Sequence, residues 1–178
     1  MNAEATLLKL YPLGEAGLIA IWCSEQGIIK TAAKSARKPN SPFAGRLDIF
    51  YQCHIQWTRA KRGDLHSLSS AELLSPRLSL RENYIRLSVA GYFARLLLQI
   101  VEPDAPVPDF YNLLQRAYYY LEHNDPTPKA ITHFEEELAR IHGILHPYIP
   151  AHVILKSHFG KLPLQREKLL NSLMPKNN

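Results

Sequence analysis

Several features that mark other protein classes are scarce in this 178-residue chain. Its two cysteines, Cys23 and Cys53, are too few for a zinc site or a disulfide framework, and both are expected to be small core side chains. The longest apolar run, at residues 96–101, is far too short to span a bilayer. The first five residues lack the positively charged start of a signal peptide. These absences predict a soluble, cytoplasmic protein with no membrane partner.

Sequence signatures of catalysis are also missing: there is no glycine-rich phosphate loop, no nucleophile elbow and no zinc-protease helix. His142 and His146 are four residues apart, but Gly143 interrupts them and no third ligand is apparent. The three glutamates at 135–137 point in different directions on a helix, which predicts a solvated face and not paired catalytic carboxylates. We therefore expect a binding protein and not an enzyme, with no catalytic residues, metal, cofactor or small-molecule substrate.

What the chain does have is positive charge concentrated in one segment. The whole chain has a net charge of +5, but residues 30–62 hold eight basic side chains against one acidic, Asp48, a net charge of +7. So many positive charges in one segment indicate a polyanionic partner, because without one they only repel each other. The eight predicted DNA-binding residues are Lys30, Lys34, Arg37, Lys38, Arg46, Arg59, Lys61 and Arg62.

The first 75 residues contain short apolar and alternating runs that are typical of β-strands. These runs fall at residues 8–11, 18–22, 28–32, 47–57 and 65–68. Five short strands separated by turns predict a closed barrel such as the OB-fold.

The segment 35–45 differs, because its two prolines and its serine and asparagine residues predict a loop between the third and fourth strands. Its charges should be exposed to a phosphate backbone. Phe43, Tyr51 and Trp57 are possible base-stacking residues, although a place in the core is favoured for them.

From residue 79 the spacing becomes helical. We predict a capping box at Ser79–Glu82, a helix starting at Pro108, and a third helix capped by Thr127 and ended by Gly143. Two shorter helices are expected at 151–159 and 164–174. The predicted class is α+β: a five-stranded OB-fold barrel at residues 1–77 that binds nucleic acid, followed by an all-helical domain at residues 78–178.

Four motifs in the predicted barrel resemble the bacterial recombination mediator RecO, also called DNA repair protein RecO. They are LYPLGEAGLI at 10–19, GIIK at 27–30, AKSARK at 33–38 and SPFAGRL at 41–47. Two further stretches are similar to the same family, LHSLSSAEL at 65–73 and FEEELARIHGILHP at 134–147.

The resemblance implies a protein of recombinational repair that binds single- and double-stranded DNA, anneals complementary strands and helps to load a recombinase. It implies two protein partners, RecR and the acidic, apolar C-terminal tail of single-strand-binding protein, and a cytoplasmic location at the nucleoid. It assigns DNA contact to the loop residues Lys34, Arg37, Lys38 and Arg46, whereas the other four basic residues are added from charge alone.

Two expectations depart from or extend this resemblance. Many family members have a four-cysteine zinc module after the helix that ends here near Pro147, but this chain continues without cysteine, so a shortened, metal-free form is expected. For the acidic peptide we expect a groove in the helical half, with candidate anchors Arg81, Arg86, Arg116 and Arg140.

Two other functions stay open at this stage. The barrel could act as a scaffold for protein interactions, with the basic loop incidental, or as an RNA-binding OB protein that reads the 2′-hydroxyl.

Overall fold

The computed structural model describes residues 1–102, Pro106 and residues 108–174. The chain divides into two compact units. The first comprises residues 1–77 with 101–111, and the second comprises residues 78–100 with 112–178.

The first unit contains a closed five-stranded barrel. Its strands are β1 (Asn2–Leu13), β2 (Gly17–Ser24), β3 (Gly27–Ala33), β4 (Gln52–Thr58) and β5 (Leu65–Ser75). Their order around the barrel is β1-β2-β3-β5-β4, with β3 and β5 parallel and the other pairs antiparallel. This arrangement confirms the predicted OB-type barrel.

Alternate residues of each strand fill the barrel interior, because side chains alternate across a strand. Trp22 is fully buried there, and its indole N–H donates a hydrogen bond to Thr31 Oγ1 at 2.9 Å, which satisfies its polar atom. Cys23 and Cys53 are buried as expected. Burial raises the pKa of Cys23 to about 12 and that of Cys53 to about 11.

The long strand predicted at 47–57 was wrong in its first half, because β4 begins only at Gln52. The Asp48 carboxylate accepts a hydrogen bond from the Ile49 N–H at 2.7 Å, and the Tyr51 N–H donates to the Asp48 carbonyl at 3.1 Å. Phe50 has a φ of 73°, a conformation incompatible with a strand. The local hydrogen bonding of the aspartate therefore overrides the alternating pattern.

The second unit is helical. It begins with a 3₁₀ turn (Leu78–Arg81), followed by α1 (Tyr84–Ile100), α2 (Pro108–His123), α3 (Pro128–Ile141), α4 (Ala151–Phe159) and α5 (Gln165–Leu173). The first residues of α2, through Tyr111, belong to the first unit. Across the described residues, every helix is too short or too polar to cross a bilayer.

Helix boundaries agree with the sequence at α3 and disagree at α1. Thr127 caps α3 by accepting a hydrogen bond from the Ala130 N–H at 3.1 Å, and Gly143 follows the helix with a φ of 75°, as predicted. The capping box at Ser79 was wrong. Asn83 caps α1 instead, since its side-chain oxygen accepts from the Ile85 N–H at 2.8 Å and the Arg86 N–H at 3.3 Å.

The prediction that residues 135–137 form a solvated face was wrong for Glu135. Its side chain is 1% exposed and accepts two hydrogen bonds from Arg166, at 2.7 and 2.9 Å. The Tyr92 hydroxyl donates a third at 2.6 Å. The carboxylate thus joins α1, α3 and α5. A buried charge is costly unless it is paired, and Arg166 supplies the opposite charge.

Candidate nucleic-acid interface

The loop between β3 and β4 is an ordered chain of turns. Five backbone N–H groups, at residues 36, 38, 41, 44 and 46, each donate to the carbonyl three residues earlier, at 3.0–3.3 Å. The Arg37 N–H also donates to the Ala16 carbonyl of the β1–β2 turn at 2.9 Å. Gly45 takes a φ of 70°, which a side chain would make costly. The backbone that carries the loop charges is therefore fixed.

The side chain of Phe43 anchors this loop in the barrel core. Phe43 is 5% exposed and belongs to the barrel core, where Ala36, Leu47 and Tyr51 pack around the same cluster. Trp57 is buried in that core as well. The expectation that these aromatics serve the core is confirmed for Phe43 and Trp57, since a buried ring has no face for a base.

The four loop cations, Lys34, Arg37, Lys38 and Arg46, are all exposed, and we call them the basic loop. Arg37 Nη2 donates to the backbone carbonyl of Glu15, and Arg46 Nη1 donates to the carbonyl of Ala71 at 3.4 Å. These contacts orient the guanidinium groups. They leave the positive charge unneutralised, because a carbonyl is not an anion.

A second cationic group lies at the turn between β4 and β5, and we call it the basic turn. It consists of the exposed residues Arg59, Lys61 and Arg62. Lys30 of β3 is beside it, because Lys30 pairs with Leu65 in the sheet and its ammonium lies 3.3 Å from the Asp64 carboxylate. The hydrogen bond from Lys30 lowers the pKa of Asp64. The structure thus brings Lys30 to the basic turn, with the basic loop at the other end of β3.

Charge pairing separates Lys30 from the other seven predicted residues. Lys30 forms its ion pair with Asp64, whereas in the described ranges 1–102, 106 and 108–174 none of the other seven forms an ion pair with a carboxylate. Unpaired, exposed cations keep their full attraction for a polyanion.

The four arginines predicted as peptide anchors have different surroundings. Arg86 has a side chain that is 14% exposed and forms an ion pair with Asp125 at 3.1 Å. Arg116 and Arg140 both lie against Glu137, Arg116 at 3.8 Å. Arg81 is an exposed residue of the 3₁₀ turn. The structure brings Arg116 and Arg140 together and leaves the other two elsewhere in the unit.

A cavity of about 420 Å³ lies among α1, α2 and α3, within the second unit. Phe93, Leu113 and Phe134 contribute apolar lining, and Arg116, Lys129 and His133 contribute the polar, basic groups. Sequence reasoning missed Lys129 and His133. The available signal was their spacing of four residues on α3, next to the apolar stripe of Ala130 and Phe134.

The histidines give no metal site in the part of the chain that the structure describes, where no group of three potential ligands was found. His142 follows the end of α3, and its ring lies 4.8 Å from that of Phe159. His146 lies beyond the helix, beside Tyr148.

The fold and its charged surface define a class: an OB-type barrel with an ordered basic loop, followed by a helical unit. Residues 1–77 match the family model described as "Recombination protein O N terminal". The chain is also similar to proteins named DNA repair protein RecO over most of its length. It belongs to the RecO family.

Three relatives illustrate the extent of the similarity. The RecO of Syntrophotalea carbinolica is 29% identical over 143 residues, 80% of this chain and 55% of the relative. That of a Cyanothece strain is 32% identical over 129 residues, 72% and 42% of the two chains. That of Thermodesulfovibrio yellowstonii is 30% identical over 122 residues, 68% and 48%. The chain thus spans roughly half the length of these relatives.

Proposed function

We propose that this protein binds single- and double-stranded DNA through the basic loop and the basic turn, and acts in recombinational repair without chemical catalysis. The observation that carries the proposal is the basic loop: four exposed cations on a backbone fixed by its own hydrogen bonds. Preorganised cations bind a phosphate backbone without losing much conformational freedom. Membership of the RecO family supports the same function.

Strand annealing follows from the same charge. Two complementary strands repel each other through their phosphates, and the seven exposed cations of the basic loop and the basic turn reduce that repulsion when both strands lie on them. Such a mechanism needs no reactive side chain. It predicts binding that is independent of base sequence, because phosphate contacts position the nucleic acid and do not read it.

A salt titration with three oligonucleotides tests the proposal. Single-stranded DNA, duplex DNA and single-stranded RNA of one length are titrated between about 50 and 200 mM salt, the range over which six to ten phosphate contacts lose ~10³–10⁵ in affinity. We expect binding of both DNA forms that weakens steeply with salt. Absence of DNA binding at low salt would favour a protein-interaction scaffold. A clear preference for RNA would favour the RNA-binding alternative.

The cavity in the helical unit supports a partner role. We propose that it holds an apolar, acidic peptide such as the C-terminal tail of single-strand-binding protein. Phe93, Leu113 and Phe134 would receive the apolar side chains, and Arg116 and Lys129 would pair with the carboxylates. Tail binding, together with RecR, would bring the barrel to coated DNA and assist recombinase loading.

Fluorescence anisotropy of a labelled acidic, apolar nonapeptide measures this contact. Lys129→Glu should abolish binding, because it replaces attraction by repulsion at the cavity, whereas Lys156→Glu on the exposed side of α4 should leave it unchanged. Equal affinities for the two variants would place the peptide elsewhere. Amidation of the peptide's C-terminus separates recognition of the terminal carboxylate from recognition of its side chains.

A further inference from the structure

The outer face of β1 presents an exposed aromatic ring beside a lysine. Leu10 packs against the barrel core, so its neighbours Lys9 and Tyr11 point outward. Tyr11 is 41% exposed, and the Lys9 ammonium lies 4.7 Å from the centre of its ring. The lysine restrains the ring through a cation–π contact, while the remaining exposed surface is accessible to a ligand.

The strand register extends this pair into a surface. Lys9 pairs with Ile21, and Ile21 pairs with Lys30, so the two lysines lie in one row, with backbones about 10 Å apart at two strand spacings. Tyr11 pairs with Ile19 in the next row. Ile19 and Ile21 are half-buried, which makes the floor between the lysines apolar.

This surface is continuous with the basic loop. Tyr11 precedes the β1–β2 turn, and the Glu15 carbonyl and Ala16 carbonyl in that turn accept hydrogen bonds from Arg37. A nucleic-acid chain lying over Tyr11 therefore reaches Arg37 across this turn, which also carries the exposed acidic residue Glu15. At the other side of this surface, the Asp64 carboxylate pairs with Lys30.

We propose that Tyr11 stacks on a base of single-stranded nucleic acid, while Lys9 and Lys30 contact the flanking phosphates. The inference rests on the proposed function and specifies which form of nucleic acid, single-stranded or duplex, this face binds. Aromatic rings between cations are the common means of holding single strands irrespective of sequence. A duplex has no unstacked base to offer the ring, so the contact is specific to the single strand.

Two variants of Tyr11 separate stacking from charge. Tyr11→Leu keeps apolar bulk but removes the ring, and Tyr11→Phe keeps the ring. Each is titrated at one salt concentration with a single-stranded oligonucleotide, with its duplex and with an abasic strand of equal length. Tyr84→Leu is the matched control, since Tyr84 is an exposed tyrosine (82%) of the helical unit.

We expect Tyr11→Leu to weaken single-strand binding about tenfold, the size of one base–aromatic stack. Its affinities for duplex and abasic strand should stay unchanged, and Tyr11→Phe and Tyr84→Leu should bind the single strand like the parent chain. Unchanged single-strand affinity in Tyr11→Leu, or an equal loss on the abasic strand, would overturn the inference. The proposed function fails separately, if the parent chain binds none of the three DNA ligands.

A fluorescence measurement on a second variant tests the same contact even if Tyr11→Leu does not fold. In Tyr11→Trp an exposed indole is added to the buried Trp22 and Trp57, and a stacked base should quench its emission. Quenching by the normal strand but not by the abasic strand supports the assignment. Equal quenching by both strands contradicts it.

Discussion

Arg166 makes a paired contact with Glu135, in which Nε and Nη2 donate to the two carboxylate oxygens at 2.7 and 2.9 Å. Both side chains are buried. Burial alone would lower the pKa of Arg166, but the hydrogen bonds and charge of Glu135 raise it. The pair ties α5, the last helix described, to α3, and Tyr92 adds a hydrogen bond from α1.

Removing one partner of this pair should strongly destabilise the helical unit. Arg166→Met leaves the Glu135 carboxylate buried without its cation, and we expect a loss of ~3–5 kcal/mol in the free energy of unfolding. Urea denaturation followed by circular dichroism at a helical wavelength measures the loss. Lys168→Met, on the exposed side of α5, is the control. Equal stabilities of the two variants would show that the pair contributes little.

The two cysteine thiols should be unreactive while the protein is folded. Their pKa values are raised to about 12 and about 11 by burial, so the reactive thiolate is scarce at pH 8. We expect slow alkylation of the native protein and rapid modification of both thiols in urea, measured by mass spectrometry. Rapid native labelling of Cys23 or Cys53 would contradict the buried arrangement.

The same two groups predict a loss of stability at alkaline pH. Unfolded thiols lose their protons near pH 8.5, while the folded ones keep them to about 11 and 12. A raised folded-state pKa contributes stability that is complete below about pH 8.5 and declines as the pH rises toward the folded values. Urea denaturation of the barrel, followed by tryptophan fluorescence, should show this decline, and a double Cys→Ala variant should show less of it.

Phe43 should position the basic loop without contacting DNA. Phe43→Ala empties a core site, which costs ~3–5 kcal/mol in a large-to-small substitution, and releases the backbone that carries the four cations. We expect weaker DNA binding although no charge is removed. Phe43→Leu retains apolar volume and should recover most of the affinity. Normal DNA affinity in a folded Phe43→Ala protein would show that loop order is unimportant.

Asp64 should oppose DNA binding. Asp64→Asn removes an anion from the basic turn and frees Lys30, so DNA affinity should increase at low salt. Because Lys30 lowers the pKa of Asp64, the carboxylate is ionised across pH 6–8 and the gain should be constant there. Glu82→Gln, an exposed acid of the helical unit, is the control for net charge. An equal gain from both variants would indicate a general charge effect.

The sequence predicts the barrel well because β2 and β3 are short, mostly apolar runs beside turn glycines, and because β4 alternates between buried and more exposed residues. The exception is residues 47–51, where the Asp48 side chain accepts a hydrogen bond from the backbone and prevents a strand. Such a local hydrogen bond leaves no trace in hydrophobic periodicity. The helix start at Asn83 was missed because Ser79, four positions earlier, is an equally good capping residue in sequence, and only the hydrogen bonds of the Asn83 side chain distinguish the two.

The functional and buried charged residues likewise divide into those that the sequence predicts and those that it does not. Exposure of the loop cations could be predicted, because turn residues surround them. The burial of Glu135 could not, since its partner Arg166 lies 31 residues away on a helix with weak periodicity. Tyr11 was overlooked although the alternation of residues 8–11 places it on the same face as Lys9; the strand register is needed only to show that Lys30 belongs to the same surface.

The salt dependence of DNA binding in a loop variant tests the central claim most directly. Arg37→Ala/Lys38→Ala is compared with Lys156→Ala/Lys161→Ala, which removes the same charge from exposed positions of the helical unit. We predict weaker binding across all base sequences and a salt slope flatter by about one unit per lost phosphate contact in the loop variant alone. Affinity and slope equal to those of the parent chain would contradict DNA binding through the basic loop.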